Sequence, residues 1–83
     1  MRVILSSPAD RDVDRLGGDV VERVFAALRG LRENPRPPGC RLLRGRKAGT
    51  WRIRVGDWRI LYDIDDAAGL VTILRVRHRS KAY

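Results

Sequence analysis

Arginine supplies most of the side chains in this 83-residue chain that could do chemistry. The chain has 18 lysine and arginine residues against 10 aspartate and glutamate residues, so its formal net charge is +8, and 16 of the 18 cations are arginine. The guanidinium group is planar, always charged, and able to pair with two oxygens at once, which suits phosphate. This composition predicts a polyanionic partner, most often nucleic acid.

The positive charge is confined to the second part of the chain. Residues 1–35 hold six basic and six acidic side chains, whereas residues 36–83 hold twelve basic and four acidic ones. A coding bias toward arginine would explain arginine over lysine but not this asymmetry. The anion-binding side chains are therefore expected within residues 36–83.

A predicted β-hairpin brings several of these arginines onto one surface. The connection Gly56-Asp57 has two residues with glycine first, which is typical of a type II′ turn. Pairing across this turn sets Arg54 opposite Arg59, with Arg52 on the same face. Carrying the register across a loop at residues 65–69 sets Arg75 opposite Arg59, with Arg77 also on that face.

Five guanidinium groups would then crowd one sheet face. Like charges directly opposite each other across strands are destabilising, so stability alone does not account for the arrangement, whereas a multi-anionic ligand would. The alternative is a solvated basic face whose arginine stems cover Leu61, Val71 and Ile73.

The remaining reactive side chains are few. With one histidine, His78, one cysteine, Cys40, and dispersed carboxylates, no metal-ligand set has workable spacing, so no metal or cofactor is expected. Neither Ser80 nor Cys40 has a context that argues for a nucleophile. Charge and weak acids and bases can still cleave RNA, because the 2′-hydroxyl supplies the nucleophile internally. Tyr83 could stack on a base or be a frayed end.

The sequence pattern changes from helical to alternating near residue 40. Predicted strands cover residues 2–6, 41–44, 51–55, 58–64 and 70–77. Ser7 and Asp19 are the expected caps of two helices separated by Gly17-Gly18, and the second helix ends before Asn34-Pro35. We expect a single domain, residues 1–83, of the α+β class: a short N-terminal strand and a two-helix hairpin packed on one face of a small, mainly antiparallel twisted sheet.

Chain length and apolar content set further expectations. A domain of this size is only marginally stable alone, so a partner that adds burial is expected. The lone cysteine suits a reducing compartment. Residues 1–7 contain only a three-residue apolar run, too short for a signal peptide, and no segment approaches the ~20 apolar residues of a membrane span. These features favour the cytoplasm and no membrane partner.

Taken in order, the motifs resemble the RelE/ParE superfamily of toxins from type II toxin–antitoxin modules. The resemblance rests on residues 34–39, 43–45, 51–62 and 75–79, and on Tyr83. It implies a RelE-like fold and an acidic antitoxin that wraps and neutralises the toxin. Because the tail resembles the RelE branch, it implies a ribosome-dependent, metal-independent mRNA endonuclease that inhibits translation. Alternatives are a ParE-like DNA gyrase inhibitor without nuclease activity and an operator-DNA corepressor acting through the antitoxin complex.

The resemblance also implies roles for individual residues. Arg59 matches the arginine at the scissile phosphate, Arg79 the group that protonates the leaving 5′-oxygen, and Tyr83 the aromatic that stacks on a base or takes the 2′-hydroxyl proton. Arg52 and Arg54 fall where that branch often has lysines. Arginine cannot lose a proton near neutral pH, so these two residues can stabilise charge but cannot act as the general base. The base is then Tyr83 or His78. The predicted catalytic residues are Arg54, Arg59, Arg79 and Tyr83. The predicted substrate-binding residues are Arg44, Arg46, Lys47, Arg52, Arg77 and Lys81, the first three toward ribosomal RNA.

Overall fold

The computed structural model describes residues 1–43 and 49–81. The elements are β1 (Arg2–Leu5), α1 (Ser7–Asp14), α2 (Gly18–Glu33), β2 (Arg41–Leu42), β3 (Thr50–Val55), β4 (Trp58–Asp65), β5 (Leu70–His78) and a final 3₁₀ turn, η1 (Arg79–Lys81). The described strands form one sheet in the order β1-β5-β4-β3-β2, in which β1 is parallel to β5 and the other pairs are antiparallel. The predicted α+β architecture is confirmed.

The two helices begin one residue or two before their predicted starts. Ser6, not Ser7, caps α1: its backbone is extended, and its Oγ accepts a hydrogen bond from the Ala9 amide at 3.2 Å. Gly17 occupies the cap position of α2, and Asp19 lies in the first turn, where a carboxylate still favours the positive helix end. Because β1 stops at Leu5, the extended residue that can act as a cap is Ser6.

The core lies between the helices and one face of the sheet. Buried side chains of α1 and α2 pack against alternate residues of the three long strands: Ala9, Val13, Val24, Leu28, Leu31, Ile53, Ile60, Tyr62, Val71, Ile73 and Val76. The helical spacing of the helix residues, and the period-two spacing of the strand residues apart from a break between Ile73 and Val76, explain why each element presents a single apolar side. The opposite face of the sheet is not covered by the helices.

The crossing loop between α2 and β2 is fixed to the sheet by polar contacts. The Tyr62 hydroxyl donates to the Pro35 carbonyl at 2.8 Å, and burial raises the pKa of this phenol. Arg36 pairs with both oxygens of Asp66 at 2.9 and 3.2 Å and lies over the Trp51 ring, 5.2 Å from its centroid. These contacts hold the start of β2 in register with β3.

The β3–β4 hairpin has the predicted register at every pair. Val55 faces Trp58, Arg54 faces Arg59, and the pairing continues to Trp51 opposite Tyr62. Gly56 has a φ of +59°, and among the described residues positive φ occurs only at glycine, as a type II′ turn with Asp57 second requires.

The β4–β5 register differs from the prediction because β5 contains a bulge. Pairing begins at Asp65 opposite Leu70, and a shift between Leu61 and Tyr62 leaves one extra residue on β5. Arg77, not Arg75, therefore lies opposite Arg59. The prediction that placed Val71 and Ile73 on the arginine side is wrong.

The bulge has a physical reason in the sequence of β5. Strict alternation would put Val71 and Ile73 on the face opposite Val76. One extra residue reverses the alternation, so all three β-branched side chains reach the core, where they are at most 2% exposed. Burial of these side chains outweighs the loss of one regular pair.

Candidate functional site

Arginines form two rows across the sheet on the face opposite the helices. Directly paired residues of neighbouring strands share a face, so the register defines the rows. The first row is Arg54, Arg59 and Arg77 on β3, β4 and β5. The second row is Arg41, Arg52, Leu61 and Arg75 on β2 to β5. We call the six arginines of the two rows the arginine face.

Arg75 is neutralised by a buried partner. Its Nε and Nη2 donate to the two carboxylate oxygens of Asp12 at 2.8 and 3.0 Å, and the Val76 amide donates to the same carboxylate at 2.9 Å. Desolvation pushes the pKa of Asp12 upward, but the hydrogen bonds from Arg75 and Val76 and the charges of Arg75 and Arg77 outweigh it, so this pKa lies below its usual range. Arg75 thus fastens α1 to the edge of β5.

Arg52 lies inside the arginine face rather than on it. The residue is 4% exposed, as is its neighbour Leu61 across the hairpin. The Arg52 Nε atom has no hydrogen-bond partner among the described residues. An unpaired buried donor costs on the order of 1–3 kcal/mol. Arg52 therefore adds positive potential from beneath the surface.

The first row is accessible, as is Arg41 at the edge of the second row. Arg54 is exposed, whereas Arg59 and Arg77 are half-buried. The Arg59 Nη1 atom donates to the carbonyls of Gly56 at 3.3 Å and Trp58 at 3.1 Å, which holds the guanidinium over the β3–β4 turn. Cα atoms of paired residues lie only ~5 Å apart, so the three charges can engage one phosphate group together.

Two further cations converge on the same turn. The Arg79 amide donates to the Asp57 carbonyl at 2.7 Å, and its Nη1 lies 4.0 Å from the Asp57 carboxylate. Arg23 reaches the turn from α2: a Cβ atom placed on Gly56 would lie 3.0 Å from Arg23 Nη1. Gly56 is required by its positive φ, and a side chain at this position would also displace the Arg23 guanidinium.

The structure thus brings Arg54, Arg59, Arg77 and Arg79 together as predicted site residues. Lys81 is exposed on η1, beyond the turn. Arg44, Arg46, Lys47 and Tyr83 lie outside the described residues.

Sequence reasoning missed Arg41 and Arg23. Arg41 belongs to the predicted edge strand, but the sequence alone did not indicate that this strand pairs Arg41 with Arg52. Arg23 lies in residues 1–35, which have no net charge. Its position could have been inferred from its spacing, three residues after Val20 and four before Ala27, both half-buried. This spacing puts Arg23 beside the buried side of α2.

His78 lies on the helix-side face, because it pairs with Trp58, whose neighbours enter the core. The two rings meet edge to face, with centroids 5.5 Å apart. His78 Nδ1 accepts from the Ser80 amide at 3.3 Å and lies 3.0 Å from Ser80 Oγ. This position separates His78 from the first arginine row.

Within residues 1–43 and 49–81, no three histidine, cysteine or acidic side chains cluster in a way that could hold a metal ion. No helix in the described part of the chain is long and apolar enough to cross a membrane.

Comparisons with known proteins cover nearly the whole chain. A family model described as the ParE toxin of the type II toxin–antitoxin system parDE matches residues 3–83. Toxin RelG of Mycobacterium tuberculosis is 38% identical over 82 residues, which cover 98% of this chain and 93% of that protein. Toxin RelE of the same organism is 35% identical over 85 residues, covering 98% and 84%.

Solved structures give the same result for the fold. A chain in the toxin–antitoxin complex RelBE2 from M. tuberculosis superposes with a TM-score of 0.84 at 36% identity and covers 96% of this chain and 92% of its own. The isolated RelE toxin from E. coli shares the fold, with a TM-score of 0.79 at 23% identity over 93% and 82% of the two chains.

Proposed function

The chain belongs to the ParE toxin family of type II toxin–antitoxin systems, within the RelE/ParE superfamily, and on this premise we propose that it is a ribosome-dependent mRNA endonuclease that inhibits translation. The observation that carries the proposal is the first arginine row beside the Gly56-Asp57 turn. RNA cleavage of this kind needs concentrated positive charge at one phosphate.

The proposed reaction uses the substrate as its own nucleophile. The 2′-hydroxyl of the bound mRNA attacks the adjacent phosphorus while the bond to the 5′-oxygen breaks, leaving a cyclic phosphate and a free 5′-hydroxyl. Arg54, Arg59 and Arg77 stabilise the negative charge that grows on the phosphate oxygens. Arg79 donates a hydrogen bond to the leaving 5′-oxygen and keeps its proton, so the 5′-hydroxyl takes its proton from solvent water. The 2′-hydroxyl proton passes to the Tyr83 oxygen as that hydroxyl releases its own proton to solvent water, since His78 lies on the opposite face.

The ribosome has a defined part in this proposal. It positions the mRNA codon so that the 2′-hydroxyl, the phosphorus and the leaving oxygen are in line. Arg44, Arg46 and Lys47 contact ribosomal RNA, while Arg52 and Lys81 add potential at the substrate. No metal or cofactor is assigned a step.

The decisive experiment is cleavage of mRNA on programmed ribosomes, mapped by primer extension. We expect cuts within the ribosome-bound codon and no cuts in the same mRNA without ribosomes. Intact mRNA under both conditions would refute the proposal. Inhibition of DNA gyrase supercoiling with trapped linear DNA would instead establish the gyrase-inhibitor alternative.

We also propose an acidic antitoxin as the partner of this chain. The net charge of +8 and the crowded arginine face call for an anionic partner. Solved relatives in the RelBE2 complex are bound to an antitoxin. We expect the product of the neighbouring reading frame to co-purify with the chain and to raise its melting temperature by mass action. Unchanged melting would exclude that product as the partner, and any operator DNA contact through it.

Arg23 offers a test of the turn as part of the substrate site. We expect Arg23→Ala to reduce kcat/KM for ribosomal cleavage about tenfold, because a lost charge-assisted contact is worth ~1.5 kcal/mol. The matched control is Arg29→Ala, which removes an exposed arginine from another side of α2. If both variants lose activity equally, the effect is general charge and the specific role of Arg23 is wrong.

A further inference from the structure

A cavity lies beside the C-terminal turn, on the helix-side face of the sheet. Its volume is about 470 Å³, a size that suits a nucleoside-sized ligand. The lining residues that matter here are Arg15 and Leu16 at the end of α1, Trp58 and His78 on the sheet, and Ser80 and Lys81 on η1. The proposed reaction uses Arg77 and Lys81 of this lining but neither of its aromatic side chains, Trp58 and His78.

We propose that this cavity binds a nucleobase of single-stranded RNA, next to the nucleotide whose phosphate occupies the first arginine row. The inference rests on the proposed function to the extent that RNA is the substrate. It adds a base-binding subsite on the other face of the sheet.

The aromatic pair provides a surface for a base. Trp58 is only partly buried by the core, and its edge-to-face contact with His78 fixes both rings. Bases of single-stranded RNA stack on such side chains. Because His78 Nδ1 accepts from the Ser80 amide, the neutral ring carries its proton on Nε2, which makes that nitrogen a hydrogen-bond donor.

The charge around the cavity suits a nucleotide. Arg15, Arg77 and Lys81 are cations of the lining, and Asp12 is the carboxylate among its described residues. Asp12 is compensated by Arg75 and the Val76 amide, so it does not repel phosphate. An acidic peptide would also use the cations, but the aromatic rings of Trp58 and His78 favour a base, which can stack on one of them.

The cavity shares one residue, Arg77, with the first arginine row. Arg77 lines the cavity and is also the strand partner of Arg59. The η1 turn, which carries Lys81, is joined to the β3–β4 turn by the Arg79–Asp57 hydrogen bond. One RNA strand can therefore place a phosphate on the row and its neighbouring base in the cavity.

The test is nitrogen-15 NMR of the full chain, in which Trp51 and Trp58 give two indole signals and Trp58→Phe identifies the second. Titration with a trinucleotide of adenosine is expected to shift the Trp58 indole and the His78 ring to saturation and to leave Trp51 nearly unchanged. Ribose 5-phosphate, which lacks the base, should not reproduce the Trp58 shift. We expect Arg15→Ala to weaken trinucleotide binding about fivefold, as loss of a charge-assisted contact would.

Three results would overturn the proposal: no Trp58 shift at millimolar trinucleotide, an equal shift with ribose 5-phosphate, or a response of Trp58 to an acidic antitoxin peptide but not to RNA. The assay needs no ribosome and no cleavage. A Trp58 response without ribosomal cleavage would support the subsite and refute the nuclease. Ribosomal cleavage without a Trp58 response would support the nuclease and refute the subsite.

Discussion

Replacing Asp12 by asparagine is expected to lower the free energy of unfolding by about 2–3 kcal/mol and the melting temperature by about 10–20 °C. Asparagine keeps one acceptor oxygen and has an NH₂ donor in place of the other, so the substitution removes one of the two hydrogen bonds from Arg75, leaves that donor facing another donor, and removes the charge that strengthens the remaining bonds. The larger cost of breaking a fully buried pair does not apply, because the Arg75 side chain is 38% exposed.

The matched control is Asp14→Asn, which removes an exposed carboxylate from the same helix. Thermal melts should show a small change for this variant, so equal destabilisation of the two would contradict the role given to Asp12.

The contribution of Asp12 also has a defined pH dependence. The pKa of Asp12 in the folded chain lies below its unfolded value of ~3.9. Its stabilisation is therefore fully present above that unfolded value and is lost as the pH falls through the folded pKa. The stability gap between wild type and Asp12→Asn should close under acid conditions, and a constant gap from neutral pH to pH ~2 would contradict this assignment.

The hairpin of β3 and β4 shows why part of the fold could be predicted from sequence. A two-residue connection fixes the register of its strands, so one turn at Gly56-Asp57 determined which side chains share a face. Arg54 and Arg59 were therefore placed correctly by local information. The helices and the core face followed from periodicity in the same way.

The path of β5 could not be predicted in this way. Its bulge is selected by the burial of Val71, Ile73 and Val76 against helices that are distant in sequence, which is a tertiary effect. The partner of Arg59 therefore changed from Arg75 to Arg77. Both arginines remained on the arginine face, because the predicted register was two residues off at that pair and an even shift keeps the face.

The contacts that determine which arginines are paired, buried or accessible join residues that are distant in sequence. Asp12 and Arg75 are 63 residues apart in sequence, and no local pattern indicates that one arginine of the face is paired and another buried. Arg23 approaches Gly56 from a different layer of the structure. Composition predicted an excess of charge, whereas only packing shows that the first row and Arg41 are accessible while Arg52 is buried and Arg75 is paired.

The three neighbouring charges of the first row are expected to lower the stability of the sheet. Arg54, Arg59 and Arg77 occupy paired positions on three strands, and facing like charges destabilise a sheet. If a residue serves packing, its removal lowers the stability of the protein. If it serves phosphate binding, its removal lowers activity while stability stays the same or rises. Arg59, in the middle of the row, separates these cases most sharply.

Arg59→Ala is accordingly expected to slow single-turnover cleavage of ribosome-bound mRNA by about 10²–10³-fold, as loss of one preorganised donor to a developing charge does. Its unfolding free energy should stay within ~0.5 kcal/mol of wild type, because relief of repulsion offsets the loss of the bonds to the Gly56 and Trp58 carbonyls, the first exposed and the second part-buried. Arg59→Lys should recover part of the rate, since lysine restores charge but not the planar fork. The control is again Arg29→Ala. A wild-type rate for Arg59→Ala would remove the row from the site, and parallel losses of rate and stability would make Arg59 a structural residue.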